Sequence, residues 1–151
     1  MPADIEPKLE DCTCLAIRQA ARHVTQFYDQ HLAPSGLRTT QFSILAKLKR
    51  RGPLTINVLA RELVMDRTTL GRNILPLERE GLIEIATGRS DRRSRELRLT
   101  DSGVKRLRAA VKGWTTAQER FDAKFGIQHA RELRAILGEV AATDLAAGGT
   151  S

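Results

Sequence analysis

Five residues close together, Arg67, Thr68, Thr69, Arg72 and Asn73, carry the groups that grip duplex nucleic acid, and a second cluster follows at Arg89, Asp91, Arg92, Arg93 and Arg95. A guanidinium presents two parallel donors that match a guanine edge, and threonine hydroxyls near a helix start suit a phosphate oxygen or a thymine methyl. None of these groups makes or breaks covalent bonds unaided. The residues that do are sparse. Cys12 and Cys14 flank Thr13 near an expected helix start, where the helix dipole favours a thiolate and hence redox switching, although the commoner fate of such thiols is small apolar packing in an interface. Together with His23 or His31 they also suggest zinc, yet C-x-C with no second pair is a weak motif, and no metal is expected. His23, His31 and His129 fall in separate helical contexts, with no nucleophile-and-base arrangement and no glycine-rich phosphate loop. Catalysis is therefore not expected, nor is a cofactor.

Bulk properties set the partner's sign. The chain has 151 residues, 41% of them hydrophobic, which suffices for one core, and a formal charge of +7 that favours a polyanion. Aromatics at 4% leave little material for the stacking surfaces that single strands and RNA need, so double-stranded DNA is the better match. No apolar run approaches the roughly 18 residues of a membrane span, and the acidic opening MPADIEPKLED lacks a signal peptide's blocks. The expectation is a cytoplasmic protein with reduced cysteines.

The elements that must hold the two arginine clusters follow from periodicity. Residues 1–10 read as a flexible arm. A first long helix begins near Asp11, carries Ile17, Val24, Phe27, Tyr28 and Leu32 at helical spacing, and ends at Pro34-Ser35-Gly36. Thr39 or Thr40 caps a second helix that stops at Gly52-Pro53. Thr55 caps a third, with Leu54 and Leu59 as its hydrophobic staple, and Asp66 caps a fourth, with Met65 and Leu70. Two capped helices in close succession make a helix-turn-helix. In the fourth helix Leu70, Ile74 and Leu77 share one face, leaving the first arginine cluster outward, and Pro76 predicts a kink. From Leu82 the period becomes two, and again at Leu97 and Leu99, so the second cluster sits on the tip of a hairpin wing. Thr100 caps a fifth helix in which Val104, Leu107, Val111, Trp114, Gln118, Phe121 and Phe125 follow coiled-coil spacing, and Gly126 separates it from a sixth with Leu133, Ile136, Leu137 and Val140 apolar. These terminal stripes exceed what a small winged unit can bury, which predicts a second copy as partner. The fold expected is mainly α with a small β-hairpin wing: a winged helix-turn-helix over 37–100, a helical dimerisation region over 11–36 and 101–147, and a frayed tail at 148–151.

With these segments in order, the chain resembles the MarR family of winged-helix transcription regulators. The likeness lies in Gln41-Phe42-Ser43-Ile44-Leu45, Gly52-Pro53-Leu54-Thr55, Asp66-Arg67-Thr68-Thr69, Leu77-Glu78-Arg79-Glu80-Gly81-Leu82, Asp91-Arg92-Arg93 and Leu99-Thr100-Asp101-Ser102-Gly103, with departures at Gly71 and Pro76. The resemblance implies a homodimer built on the first, fifth and sixth helices. It implies binding to a pseudo-palindromic operator, commonly as a repressor, with release by a small ligand or by thiol oxidation. It further implies that Arg93 enters the minor groove while Asp91 orients an arginine by an ion pair. An effector pocket in such a fold lies between dimer helices and reader and would draw on Tyr28, His31, Phe42 or Trp114, although aromatics at helical spacing usually pack in a core. The alternative is a non-specific architectural DNA-binding protein or an RNA-binding winged helix.

Overall fold

The computed structural model describes residues 5–88 and 92–146. Its elements are α1 (Thr13–Leu32), α2 (Thr39–Arg51), β1 (Leu54–Thr55), α3 (Ile56–Glu62), α4 (Arg67–Arg79), β2 (Ile83–Thr87), β3 (Arg95–Leu99), α5 (Asp101–Phe125) and α6 (Ile127–Ala142). This is the mainly helical fold with a small hairpin wing that the periodicities predict. Among the described residues no helix is long and apolar enough to cross a membrane.

Three helix starts lie where the cap residues mark them. Thr55 Oγ1 accepts from the Val58 N–H at 3.2 Å, Asp66 Oδ1 from Thr69 N–H at 2.8 Å, and Thr100 Oγ1 from Gly103 N–H at 3.0 Å. Each bond satisfies an amide that the helix itself leaves unpaired. Two starts differ from expectation. Residues Leu9–Asp11 form a 3₁₀ turn, so α1 begins at Thr13 with Cys12 as its cap, the Sγ accepting from Leu15 N–H at 3.3 Å. At α2 neither threonine is the cap: the helix already includes Thr39, the Arg38 N–H donates to Gln41 Oε1 at 3.0 Å, and Asp29, on α1, accepts from Thr39. Helix α4 continues through Pro76 to Arg79, held on its inner side by Leu70, Ile74 and Leu77. The bond that proline denies to the Arg72 carbonyl is therefore missing within a continuous helix.

The sheet has three antiparallel strands in the order β1-β3-β2, with Ile83 opposite Leu99, Thr87 opposite Arg95 and Leu54 opposite Leu97. Strand β1 is an addition to the expected hairpin; its two residues pair with β3 just before α3 begins. The core fills the space between this sheet and α2, α3 and α4, with Leu45, Leu59, Leu70, Leu77 and Leu97 fully buried, and it continues to Leu32 of α1 and to Leu107 and Ala110 of α5.

The apolar seam of α5 is largely used within the chain. Much of it lies along the chain's own α1 and α2: Trp114 stacks on Phe42 with ring centroids 5.9 Å apart, and Gln118 accepts from the Tyr28 hydroxyl. At Gly113 the helices cross so closely that a Cβ would lie 2.1 Å from the His31 carbonyl oxygen. Only part of the seam stays open, at Val111 and Phe125, which are 42% and 39% exposed. Coiled-coil spacing cannot distinguish a partner helix in the same chain from one in another.

Candidate nucleic-acid interface

The first arginine cluster sits on the opening turns of α4. Arg67, Thr68, Thr69 and Arg72 are exposed, while Leu70, Ile74 and Leu77 turn into the core. The cap consumes part of this set, because the Thr69 hydroxyl donates to Asp66 Oδ2 at 2.7 Å. Those two bonds, the Thr69 amide first and its hydroxyl second, hold the Asp66 carboxyl below its ordinary range. Asn73 is also partly committed: its Nδ2 donates to the Thr69 carbonyl at 2.9 Å. It is half-buried and borders a cavity of 430 Å³ shared with Thr25 and Asp29 of α1, Arg38, Thr40 and Gln41 beside α2, and Pro76. Arg67, Thr68 and Arg72 thus keep the fullest hydrogen-bonding capacity at the surface. Around Gly71 a built Cβ meets nothing within 4 Å, so packing inside the chain does not require glycine there.

The second cluster is carried by the wing. Gly88 N–H donates to the Ser94 carbonyl at 2.9 Å, closing the ladder at the base of the tip; Arg92 and Arg93 are exposed beyond it, and Arg95 is exposed on β3 just inside it. Arg89 and Asp91 lie outside the described residues. A surface helix flanked by a cationic hairpin is the arrangement that lets one element enter a major groove while the other tracks the neighbouring backbone or minor groove.

The remaining candidate residues lie elsewhere. Cys12 is partly exposed and Cys14 exposed, and both are free thiols. Among the described residues no group of three or more His, Cys, Asp or Glu side chains is placed to hold a metal ion. Phe42 and Trp114 stack on each other, Tyr28 and His31 pack on Phe27 instead, and none of the four borders either of the two described cavities. Burial raises the Tyr28 hydroxyl, with Asp122 adding to the effect and Arg134 opposing it. His31 Nδ1 lies 2.8 Å from the Phe27 carbonyl and its Nε2 3.3 Å from Arg120 Nη1, so the tautomer protonated on Nδ1 satisfies both contacts. The second cavity, 530 Å³, opens between α1, α5 and α6 over Val24, Phe27, Phe121, Phe125 and Leu133, with His23, Arg120 and Lys124 also along it. Periodicity put Phe27 on the apolar face of the first helix and Phe121 and Phe125 on a coiled-coil seam; it gave no sign of a groove between three helices, which only tertiary packing creates.

Comparison with known proteins agrees with this geometry. The sequence profile of the MarR family matches residues 37–94. The transcriptional regulator MosR of M. tuberculosis, solved in complex with DNA, is 38% identical, with 87% of this chain and 96% of MosR covered and a TM-score of 0.76. The repressor CouR on a 23-mer DNA duplex is 27% identical, covering 92% of this chain and 99% of that one, with a TM-score of 0.79. The regulator PecS of Dickeya dadantii is 28% identical over 140 residues, 91% of this chain and 82% of PecS. The chain belongs to the MarR family of winged-helix, DNA-binding transcription regulators.

Proposed function

We propose that this chain acts in the cytoplasm as a homodimeric, sequence-specific regulator that represses by occupying a pseudo-palindromic operator. The observation that carries the reading is the outward display of Arg67, Thr68 and Arg72 on a helix whose opposite face is locked into the core, with Arg92, Arg93 and Arg95 on the adjoining wing. In this reading residues 37–100 read DNA and residues 11–36 and 101–147 join two copies, placing two α4 helices in major grooves about one helical turn apart. Thr69 and Asn73 serve mainly to hold α4 at its start, and Arg93 together with Arg89, Asp91 and Arg92 anchors the wing. The direct test pairs two variants in a salt titration on a duplex selected from a random library. Arg72→Ala should relax sequence preference by about 1–3 kcal/mol, and Arg93→Ala should weaken binding across sequences and lower the salt slope by about one unit. Parent-like behaviour of both variants refutes the docking. Equal affinity of the parent for random duplex, or preference for RNA, selects the architectural or RNA-binding alternative instead.

Two control inputs fit this site. One is a small-molecule effector acting between the dimer helices and the reader, where the cavity beside Asn73 and Pro76 offers space and Tyr28, His31, Phe42 and Trp114 border none. The other is thiol oxidation, supported by a Cys12 sulfur that caps α1 and an exposed Cys14 two residues on. Oxidant should lower operator affinity of the parent and leave a Cys12→Ser, Cys14→Ser variant unchanged; equal responses eliminate the switch.

A further inference from the structure

Besides the core packing at Leu32, one side chain of α1 holds the start of α2 by hydrogen bonds: Asp29 Oδ1 accepts from the Thr39 N–H and from Thr39 Oγ1, each at 2.7 Å. The amide is one of the unpaired donors at the positive end of the α2 dipole, so a carboxylate there is held by charge as well as by geometry. Helix α2 does not need Asp29 in order to start. Its first turn has a local device of its own, the Gln41 side chain accepting from Arg38 N–H at 3.0 Å, and the Ser43 hydroxyl ties back to the Thr39 carbonyl at 3.0 Å. What Asp29 adds is attachment to another helix.

That attachment bears on the DNA-reading helix. Phe42, Ile44, Leu45 and Leu48 of α2 share one core with Leu70, Ile74 and Leu77 of α4, so a tilt of α2 carries α4 with it. Close packing does not fill the space between α1 and α4, because the 430 Å³ cavity bordered by Thr25, Asp29, Asn73 and Pro76 lies there. The chain between α1 and α2 also contains a turning point, the 3₁₀ turn Ala33–Ser35 followed by Gly36 at φ 77°. A bend next to an unfilled space lets the bond across it bear on the angle between the helices, beside the packing of both on α5.

We propose that Asp29 is a positioning residue: by holding Thr39 against α1 it fixes the angle of the reader to the dimer helices, and so sets the half-site spacing that the protein accepts. The inference rests on the homodimer reading above. It is tested with the full-length protein on a duplex selected from a random library by the parent, on the same duplex with a base pair inserted or removed between half-sites, and on an isolated half-site. The parent should discriminate sharply between the spacings. Asp29→Ala should reduce that discrimination about tenfold, the worth of one charge-assisted hydrogen bond, while binding the half-site like the parent. Asp29→Asn keeps an acceptor oxygen in place but loses the charge, and should restore part of the parent's discrimination. Thr39→Ala retains the backbone bond and loses the hydroxyl one, so it should show a partial loss; it also serves as the test should Asp29→Ala fail to fold. Undiminished discrimination in Asp29→Ala and Thr39→Ala overturns the proposal, as does a half-site affinity that falls in step with the operator affinity. A parent indifferent to spacing overturns the homodimer reading first and this inference with it.

Discussion

In the winged unit Leu45, Leu59, Leu70 and Leu97 are wholly withdrawn from solvent, whereas Ile136 and Leu137 of α6 stand 58% and 42% exposed. Both regions are helical and both carry apolar residues at helical spacing, so the difference lies in what surrounds the stripe. Around the reader, α2, α3, α4 and a three-stranded sheet close on one another. Helix α6 packs on α5, and among the described residues Ile136, Leu137 and Val140 are left exposed on its surface. The contrast teaches that the reader's fold is decided within one chain, while the helical region keeps apolar surface of the kind that marks an interface.

Substitutions can break or sharpen this contrast. The largest effect belongs to the closed region: Leu45→Ala should cost about 2–5 kcal/mol of unfolding free energy in denaturant titration, because the site is fully packed and cannot collapse. Next comes Leu137→Asp, which, if α6 lies in the proposed homodimer interface, should leave helical content unchanged yet weaken association by about 2 kcal/mol or more in sedimentation equilibrium, since a two-fold interface meets each substitution twice. A comparable loss of monomer stability would show instead that α6 is core. Gly71→Ala tests the outer face of the reader. With nothing near the added methyl, thermal stability should rise by roughly 0.5–1 kcal/mol, while operator affinity falls if the helix lies close against the duplex. Unchanged affinity would assign the glycine to mere tolerance.

The smallest expected effect is a pH dependence confined to the start of α4. The Asp66 carboxyl is held below its ordinary value of 3.8, so its cap contributes fully above that value and is lost as pH falls through the lowered one. An acid titration should therefore show Asp66→Asn losing less stability than the parent at the acid limb. Identical limbs would remove the cap from the account.

What could be read ahead of the structure was whatever a few neighbouring residues decide. Thr55, Asp66 and Thr100 cap their helices because a cap is a contact over three residues, and Gly52-Pro53 ends α2 for the same local reason. Non-local partners were not legible. Two residues of β1 have no period to detect, and they become a strand only because β3 passes beside them. The Asp29 contact to Thr39 spans a turn whose path no spacing rule gives. Helical spacing put Asn73 on the outer face with Arg72, but the neighbouring α1 and α2 enclose that side into a cavity wall. Among the candidate residues, the exposed arginines of α4 and the wing were legible, because charge beside a closed core has nowhere else to go.

Gly113 brings the backbones of α1 and α5 into direct contact at His31, with no side chain between them. Side chains act as compliant spacers at most helix crossings, absorbing small displacements by changing rotamer. Here that cushion is absent, so the crossing is stiff, and a push on one helix reaches the other with little loss. The consequence is a fixed point in the fold: a β-carbon at position 113 would have to push α1 and α5 apart, because no side chain stands between them that could give way.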